Sequence, residues 1–346
     1  MIALIKFLDK YFGKLAIMFL CLFKKRSVMF GKSDVCFIQL WGLGESLLTL
    51  PAIKKFKSVS SITVLCTERN RVVFEKHSFI DEVIVLPMNP FKILSFIFSN
   101  KNRWNLVIDF EEYLNISAII SFFIGKVCWG FSHGARSKLY SKTVDYDDRQ
   151  YVARTFCDLV DEEFKELVFV NYEDYNKSCV ESWIKKFNPD GKKMVGLFPF
   201  TAESAPWRAW NMERWIQLYQ KLKKQGCFPF FVMGPSDLTF MGGPPIFMKD
   251  FHDLAYLLTK LDCFVSNDTG PMHLSACQGC RTVCLFTANI PIRWAPRDKQ
   301  HKVIWHKVKC CPCIDSKTGK MNPCTNNMEC SKLITVEEVL EAVLEK

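Results

Sequence analysis

The sequence predicts an α/β protein of two Rossmann-like halves, each a parallel sheet with helices on both faces. Three observations carry this. From residue 31 onward, short apolar runs of strand length alternate with longer runs of helical length, the pattern of βαβ units. The alternation comes in two series, separated by the strong turn Asn188-Pro189-Asp190-Gly191. A chain of 346 residues is long enough for two separate cores.

In the first series, residues 35–40, 62–66, 83–86, 106–110 and 127–131 read as buried strands. Helices are expected over 44–57, 91–99 and 114–124, between those strands. Residues 132–149 are polar and read as loop, and helices follow over 152–164 and 173–187. The second series has strands at 194–198, 228–233, 263–266, 282–286 and 303–308, with helices at 212–225 and 253–261. A closing helix is expected over 336–344. The expected domains are therefore 31–188 and 189–334, flanked by an N-terminal segment 1–30 and a C-terminal helix 335–346.

The N-terminal segment is apolar but interrupted by Lys6, Asp9, Lys10 and Lys14, and Lys24-Lys25-Arg26 follows it. Its uninterrupted apolar run, 15–23, is too short to span a bilayer. Lys6, Lys10, Gly13 and Lys14 share one helical face, as in an amphipathic helix lying in a membrane interface. An ordinary helix packed on the body fits the same pattern, and the trailing basic cluster favours anionic lipid. A signal peptide is disfavoured because no small-residue cleavage site is present and cations follow the apolar run.

The net charge of +10 asks for an anionic partner, a membrane surface or a nucleotide. No compact basic module of the nucleic-acid-binding kind is present. The sixteen cysteines are mostly scattered through apolar runs, as small buried hydrophobes of a reducing compartment; a secreted disulfide scaffold does not fit. Cys310, Cys311, Cys313, Cys324 and Cys330 are the exception, crowded into one loop over 310–330. Cys310, Cys313, Cys324 and Cys330 could hold a structural zinc or iron, or be free or pairing thiols, and both readings stay open.

Residues 265–276 read as a strand end, a tight turn and a helix start. Thr269 suits the N-cap, Gly270 the turn and Pro271 the first helical position. Unpaired N–H groups at such a start suit a phosphate, and His273 lies in the first turn. Asp268, Thr269, Gly270 and His273 are thus candidates for anion binding at a strand's carboxyl end. A merely capped helix is the plainer alternative.

Gly42 and Gly44 follow the first strand and allow a positive-φ turn close to a ligand. A dinucleotide fingerprint is incomplete, because position 47 is Leu, so a nicotinamide oxidoreductase is disfavoured. Glu45 follows as an acid in the first helical turn, where the helix dipole favours it.

The stretch Asp268-Thr269-Gly270-Pro271-Met272-His273-Leu274 resembles the D-[ST]-G-P-x-H-[LI] signature of glycosyltransferase family 9, the ADP-heptose:lipopolysaccharide heptosyltransferases and their relatives. Residues 42–51 are similar to the family's G-D-x-[LV]-x-x-x-P segment, with Glu45 where the family carries an Asp thought to be the catalytic base. Residues 199–211 resemble its strand–loop segment, with Trp210 and Trp215 matching and Arg208 falling on the phosphate-binding cation; Thr201 is a further hydroxyl candidate. Asp237, after the strand 228–233, is the candidate for the donor ribose. The chain departs from the family beyond it, since 238–245 is short and rich in Gly and Pro where a helix is usual.

The resemblance spans about residues 34–346 and implies the glycosyltransferase B architecture, two Rossmann-like domains facing a cleft, the final helix crossing back to the first. It implies an acceptor-binding first domain and a nucleotide-sugar-binding second one. It also implies an inverting transfer without a catalytic metal, no cofactor, a heptose donor such as ADP-heptose and a lipid-linked lipopolysaccharide-type acceptor. The expected location is peripheral, on the cytoplasmic face of the inner membrane, with no nucleic-acid partner. The alternatives are a transferase using another nucleotide sugar and a non-catalytic membrane-associated binding or assembly protein on the same fold.

Overall fold

The structure is a computed structural model that describes residues 9–23, 34–58, 60–172, 177–202, 205–234, 245–248, 250–318 and 322–345. The described residues form two compact units, one from Met1–Leu167 and Ser316–Gly319, the other from Val168–Asp315 and Lys320–Lys346.

The first unit begins with a π-type turn Asp9–Gly13, helix α1 (Lys14–Leu20) and a 3-10 turn Cys21–Phe23. Then come β1 (Val35–Ile38), α2 (Leu43–Lys54), β2 (Ile62–Cys66), α3 (Arg71–Phe74), β3 (Glu82–Val85), α4 (Pro90–Ser99) and β4 (Trp104–Asp109). It continues with α5 (Asn115–Ile124), β5 (Gly125–Phe131), a 3-10 turn Ala135–Leu139, β6 (Lys142–Val144) and α6 (Val152–Leu159). All strands pair in parallel in the order β3-β2-β1-β4-β5-β6. The chain winds outward from β1 to β3, then returns to β4 on the other side of β1. The order therefore reverses between β1 and β4, and the loops leaving these two strands meet at their carboxyl ends.

Strand β1 shows why the strands read as continuous apolar runs. All four of its residues are buried, because helices cover both faces. Cys36 and Ile38 join a core with α1, α4 and α5. Phe37 points the other way and stacks on Phe110, which meets Phe156 of α6 edge-on.

The second unit repeats the plan: α7 (Ser178–Phe187), β7 (Met194–Phe198), a 3-10 turn Pro206–Arg208, α8 (Met212–Lys224), β8 (Phe228–Met233), β9 (Pro245–Phe247) and α9 (Phe251–Leu258). There follow β10 (Cys263–Asn267), α10 (Gly270–Cys277), β11 (Thr282–Phe286), α11 (Pro291–Trp294), β12 (Lys302–Trp305), α12 (Glu329–Leu333) and α13 (Val336–Leu344). Its sheet runs β12-β11-β10-β7-β8-β9, again parallel, with the reversal between β7 and β10.

Several elements differ from the sequence expectation. β6 lies inside the stretch read as loop; three residues of edge strand carry too little periodicity to register. Helix α7 belongs to the second unit, not the first. Its Trp183 ring packs 4.8 Å from Phe230 and its Glu181 accepts a 2.5 Å hydrogen bond from the Tyr256 hydroxyl. The unit boundary therefore precedes α7 rather than falling at residues 188–191. Helix α13 packs within the second unit. Its stripe Val336, Val339 and Val343 is used against Trp215, Leu218 and Leu222 of α8, inside the second core.

At the N-terminus, α1 packs on the first unit through one stripe. Ile17 is fully buried, and the Asp9 carboxylate accepts from the Asn115 and Ile116 N–H groups at 2.9 and 2.6 Å. Asp9 thereby caps α5, whose own N-cap residue, Leu114, has no side chain able to do so. Lys24-Lys25-Arg26 lie outside the described residues.

Candidate active site

In the first unit the site is built on the turn between β1 and α2. Gly42 stands at the N-cap with φ of 71°, a backbone region that glycine enters without strain. Gly44, expected in the same conformation, lies inside the first turn of α2 with ordinary helical geometry. Glu45 follows, half-buried, and its carboxylate folds back over Gly42: a Cβ placed there would stand 2.4 Å from Glu45 Oε2. Gly42 thus supplies both the turn and the room for the acid.

Three polar side chains clamp this turn. Asn70 donates to the Gln39 carbonyl and to Ser46 Oγ, both at 2.8 Å. Thr67 donates to the Leu40 carbonyl at 2.9 Å. Glu111, from the loop after β4, accepts the Leu40 and Trp41 N–H groups on one oxygen, at 2.5 and 3.0 Å.

Glu111 is itself held by a buried network. The Arg136 guanidinium donates to the Glu111 carbonyl and pairs with Asp109 at 2.9 Å; the Tyr140 hydroxyl donates to the same Asp109 oxygen at 2.6 Å. Burial pushes the Glu111 carboxyl well above the usual range, and the neighbouring Asp109 and Glu45 charges add to this. Burial likewise raises the Tyr113 phenol, with Glu45 the next cause, so Glu45, Glu111 and Tyr113 share one neighbourhood. The sequence reading missed Glu111 and Arg136. An acid or base in a loop after a strand carries no periodic signal, and only the strand order brings 40 and 111 together.

In the second unit the site gathers at the ends of β7, β10 and β11. Buried Asn267 ties them, accepting from the Trp210 N–H at 3.0 Å and donating to the Pro199 carbonyl at 2.7 Å. Asp268 follows, accepting from Asn289 Nδ2 at 2.8 Å, with Arg208 Nη1 3.7 Å from the same carboxylate. The guanidinium is about a quarter exposed and its buried Nε has no hydrogen-bond partner among the described residues. Asn289, a further residue the sequence reading missed, is thus what orients Asp268.

Thr269 occupies the N-cap of α10, but its side chain does not cap. It turns back, donating to the Asn267 carbonyl at 3.3 Å, so the N–H groups of the first turn are left uncapped by it. Gly270 is the first residue of α10, in helical rather than positive-φ geometry. His273 is buried against Trp294, and its Nδ1 has no partner among the described residues. Burial lowers its pKa to about 4; Asp268 opposes the shift and Arg208 adds to it. The ring is therefore neutral near pH 7 and offers a hydrogen bond, not a cation. Thr201 lies half-buried three residues beyond β7. Asp237 lies outside the described residues.

The sequence model of Glycosyltransferase family 9 (heptosyltransferase) matches residues 248–323, which contain β10, the Asp268–His273 turn and Asn289. The lipopolysaccharide heptosyltransferase 1 of Campylobacter coli is 22% identical over 362 residues, covering 90% of this chain and 98% of that protein. The chain is thus similar to glycosyltransferase family 9, over residues 248–323 by the family's model and over most of its length by this heptosyltransferase. Solved structures share its fold. A family 9 glycosyltransferase from Veillonella parvula aligns with a TM-score of 0.71 at 20% identity, over 92% of this chain and 99% of that one. The E. coli ADP-heptose lipopolysaccharide heptosyltransferase II aligns with a TM-score of 0.66 at 15% identity, over 90% and 97%.

The cysteine-rich loop packs behind Asn289. The Cys313 N–H donates to the Ala288 carbonyl at 2.8 Å and the Cys311 thiol reaches the carbonyls of Thr287 and Asn289. The loop thereby backs the segment that presents Asn289. Cys310, Cys313, Cys324 and Cys330 are free thiols, and no group of three or more His, Cys, Asp or Glu among the described residues converges as a metal would require. Burial raises the Cys313 and Cys330 thiols, and Cys324 Sγ accepts from the Met328 N–H at 3.2 Å. Cys310, Cys313 and Cys324 are also among the groups that raise Cys330, so the four share one neighbourhood.

Proposed function

We propose that this glycosyltransferase acts in lipopolysaccharide assembly, moving a heptose from ADP-heptose onto a lipopolysaccharide core or related lipid-linked glycan. The first unit takes the acceptor and the second the nucleotide sugar. Glu45 is the base. It removes the proton of the acceptor hydroxyl as that oxygen bonds to the anomeric carbon, while the bond from that carbon to the diphosphate oxygen breaks on the opposite face. Inversion follows from this in-line geometry. A positioned base of this kind contributes typically ~10²–10⁴-fold.

The departing nucleotide gains negative charge, which Arg208 and the uncapped N–H groups of α10 are suited to meet. Asp268 and Asn289 hold Arg208 and the turn in register. His273 and Thr201 add neutral hydrogen bonds. Fixed positive charge of this kind does the work a metal does in other transferases, which supports a metal-independent transfer with no cofactor. A lipid-linked acceptor together with a nucleotide-sugar donor supports a peripheral location on the cytoplasmic face of the inner membrane.

The observation that carries the reading is the Glu45 carboxylate, folded back over Gly42 at the carboxyl end of β1 in a chain similar to family 9. The test is acceptor-dependent release of ADP by the purified full chain. It is supplied with ADP-heptose, with other nucleotide sugars in parallel, and with lipid-linked acceptor. Release with ADP-heptose, dependent on acceptor, is expected. Faster release from another nucleotide sugar would reassign the donor, and no release from any would leave a binding protein on this fold.

A further inference from the structure

We propose that the outer face of α1 and α4 in the first unit is a docking surface for an anionic phospholipid bilayer. The inference deepens the membrane location proposed above and rests on it for its purpose.

Helix α4 is apolar on two sides. Ile93 and Ile97 enter the core, yet Phe91, Leu94 and Phe98 point outward and are 81%, 52% and 78% exposed. Their spacing of three and four residues places them in one stripe. The N-terminal segment repeats the arrangement: Ile17 is buried, while Phe12, Leu15, Phe19 and Leu22 are exposed at the same spacing. Both helices pack on α5, on one side of the sheet, and share one core, so the two stripes belong to a single layer. Single exposed apolar side chains are ordinary, but two stripes of large ones on helices that pack on the same α5 mark an interaction surface.

Charge decides the occupant. Lys14 and Lys92 are exposed beside the stripes, and residues 10–23 and 90–99 contain no acidic residue. Lys24-Lys25-Arg26 follow directly in sequence. A second copy of the chain would bring these cations against one another with no carboxylate to meet them. An anionic bilayer offers acyl chain to the aromatic rings and phosphate to the lysines. No helix among the described residues is long and apolar enough to cross a membrane, so the contact is one of lying on it.

The experiment sediments the full chain with vesicles of phosphatidylethanolamine and phosphatidylglycerol, and with vesicles of phosphatidylcholine alone. Wild type is expected to bind the anionic vesicles, and less so as salt rises. The variant Phe91→Ser/Leu94→Ser/Phe98→Ser is expected to bind about tenfold more weakly, since binding scales with buried apolar area. Lys14→Glu/Lys92→Glu is expected to lose the preference for anionic over neutral lipid. These positions are exposed, so circular dichroism should be unchanged. Neither donor nor acceptor is present, so the result stands apart from sugar transfer. Equal vesicle binding by the triple variant would overturn the proposal. So would light scattering showing that wild type self-associates and the triple variant does not.

Discussion

The Glu45 carboxylate rests on the Cα of Gly42, leaving no room there for even one carbon more. The glycine and the acid are therefore a single device. Gly42→Ala adds a Cβ 2.4 Å from Glu45 Oε2 and forces alanine to φ of 71°. The backbone term alone costs about 1–2 kcal/mol. We expect a lower melting temperature and at least about tenfold slower turnover as Glu45 is displaced, with donor affinity unchanged by calorimetry. Unaltered turnover would show that the carboxylate's position is immaterial.

Arg208 and Asn289 meet on the same carboxylate oxygen of Asp268. Arg208→Ala is expected to weaken ADP binding roughly 10- to 100-fold, the worth of a charge-assisted contact. Asn289→Ala removes no charge but frees Asp268, and a loss of about fivefold is expected. Titration calorimetry with ADP reads both, and equal affinity in all three proteins would remove this turn from the donor site.

His273 couples stability to pH. Its folded pKa, about 4, lies below the ordinary 6.5, so between those values the unfolded chain binds the proton more readily. The stability of the neutral ring is complete above pH 6.5 and is lost as pH falls toward 4, amounting to about 3 kcal/mol at most. His273→Gln should flatten that acid limb in denaturant titrations. A limb as steep as wild type would assign it to other groups.

Glu111 runs in the opposite sense. Its carboxyl is raised by burial, so the stability it contributes is present below its unfolded value and declines as pH rises through the folded one. Glu111→Gln keeps an oxygen for the Leu40 and Trp41 N–H groups and removes the charge; it should lose that alkaline decline and retain turnover. Glu111→Ala leaves two N–H groups without an acceptor, costs about 1–3 kcal/mol and should lower kcat more than donor KM. Matching behaviour of the Gln and Ala variants would deny the hydrogen-bonding role.

How far the sequence foretells this structure follows from which signals are local. Central strands such as β1 and β10 are runs of buried apolar residues, and the Gly42 and Asp268–His273 turns sit where strand gives way to helix; these were legible. Edge strands β6 and β9 are three residues each and were not. Helix α7 was assigned to the wrong half because the residues that hold it, Phe230 and Tyr256, are remote in sequence. A motif singles out Arg208 and Asp268–His273 as candidates, whereas Asn289, Glu111 and Arg136 carry no local signal because their partners are set by strand order. Burial, also invisible in the sequence, turned His273 from an expected anion contact into a neutral hydrogen-bonding ring.

The most direct measurement compares Glu45→Gln with wild type in acceptor-dependent sugar transfer, alongside ADP affinity. Gln keeps the size and hydrogen bonding of the side chain and removes its basicity. A fall in turnover of about 10²–10⁴-fold at unchanged ADP affinity is predicted. Turnover equal to wild type would contradict the assignment of Glu45 as the base and, with it, the proposed chemistry of the first unit.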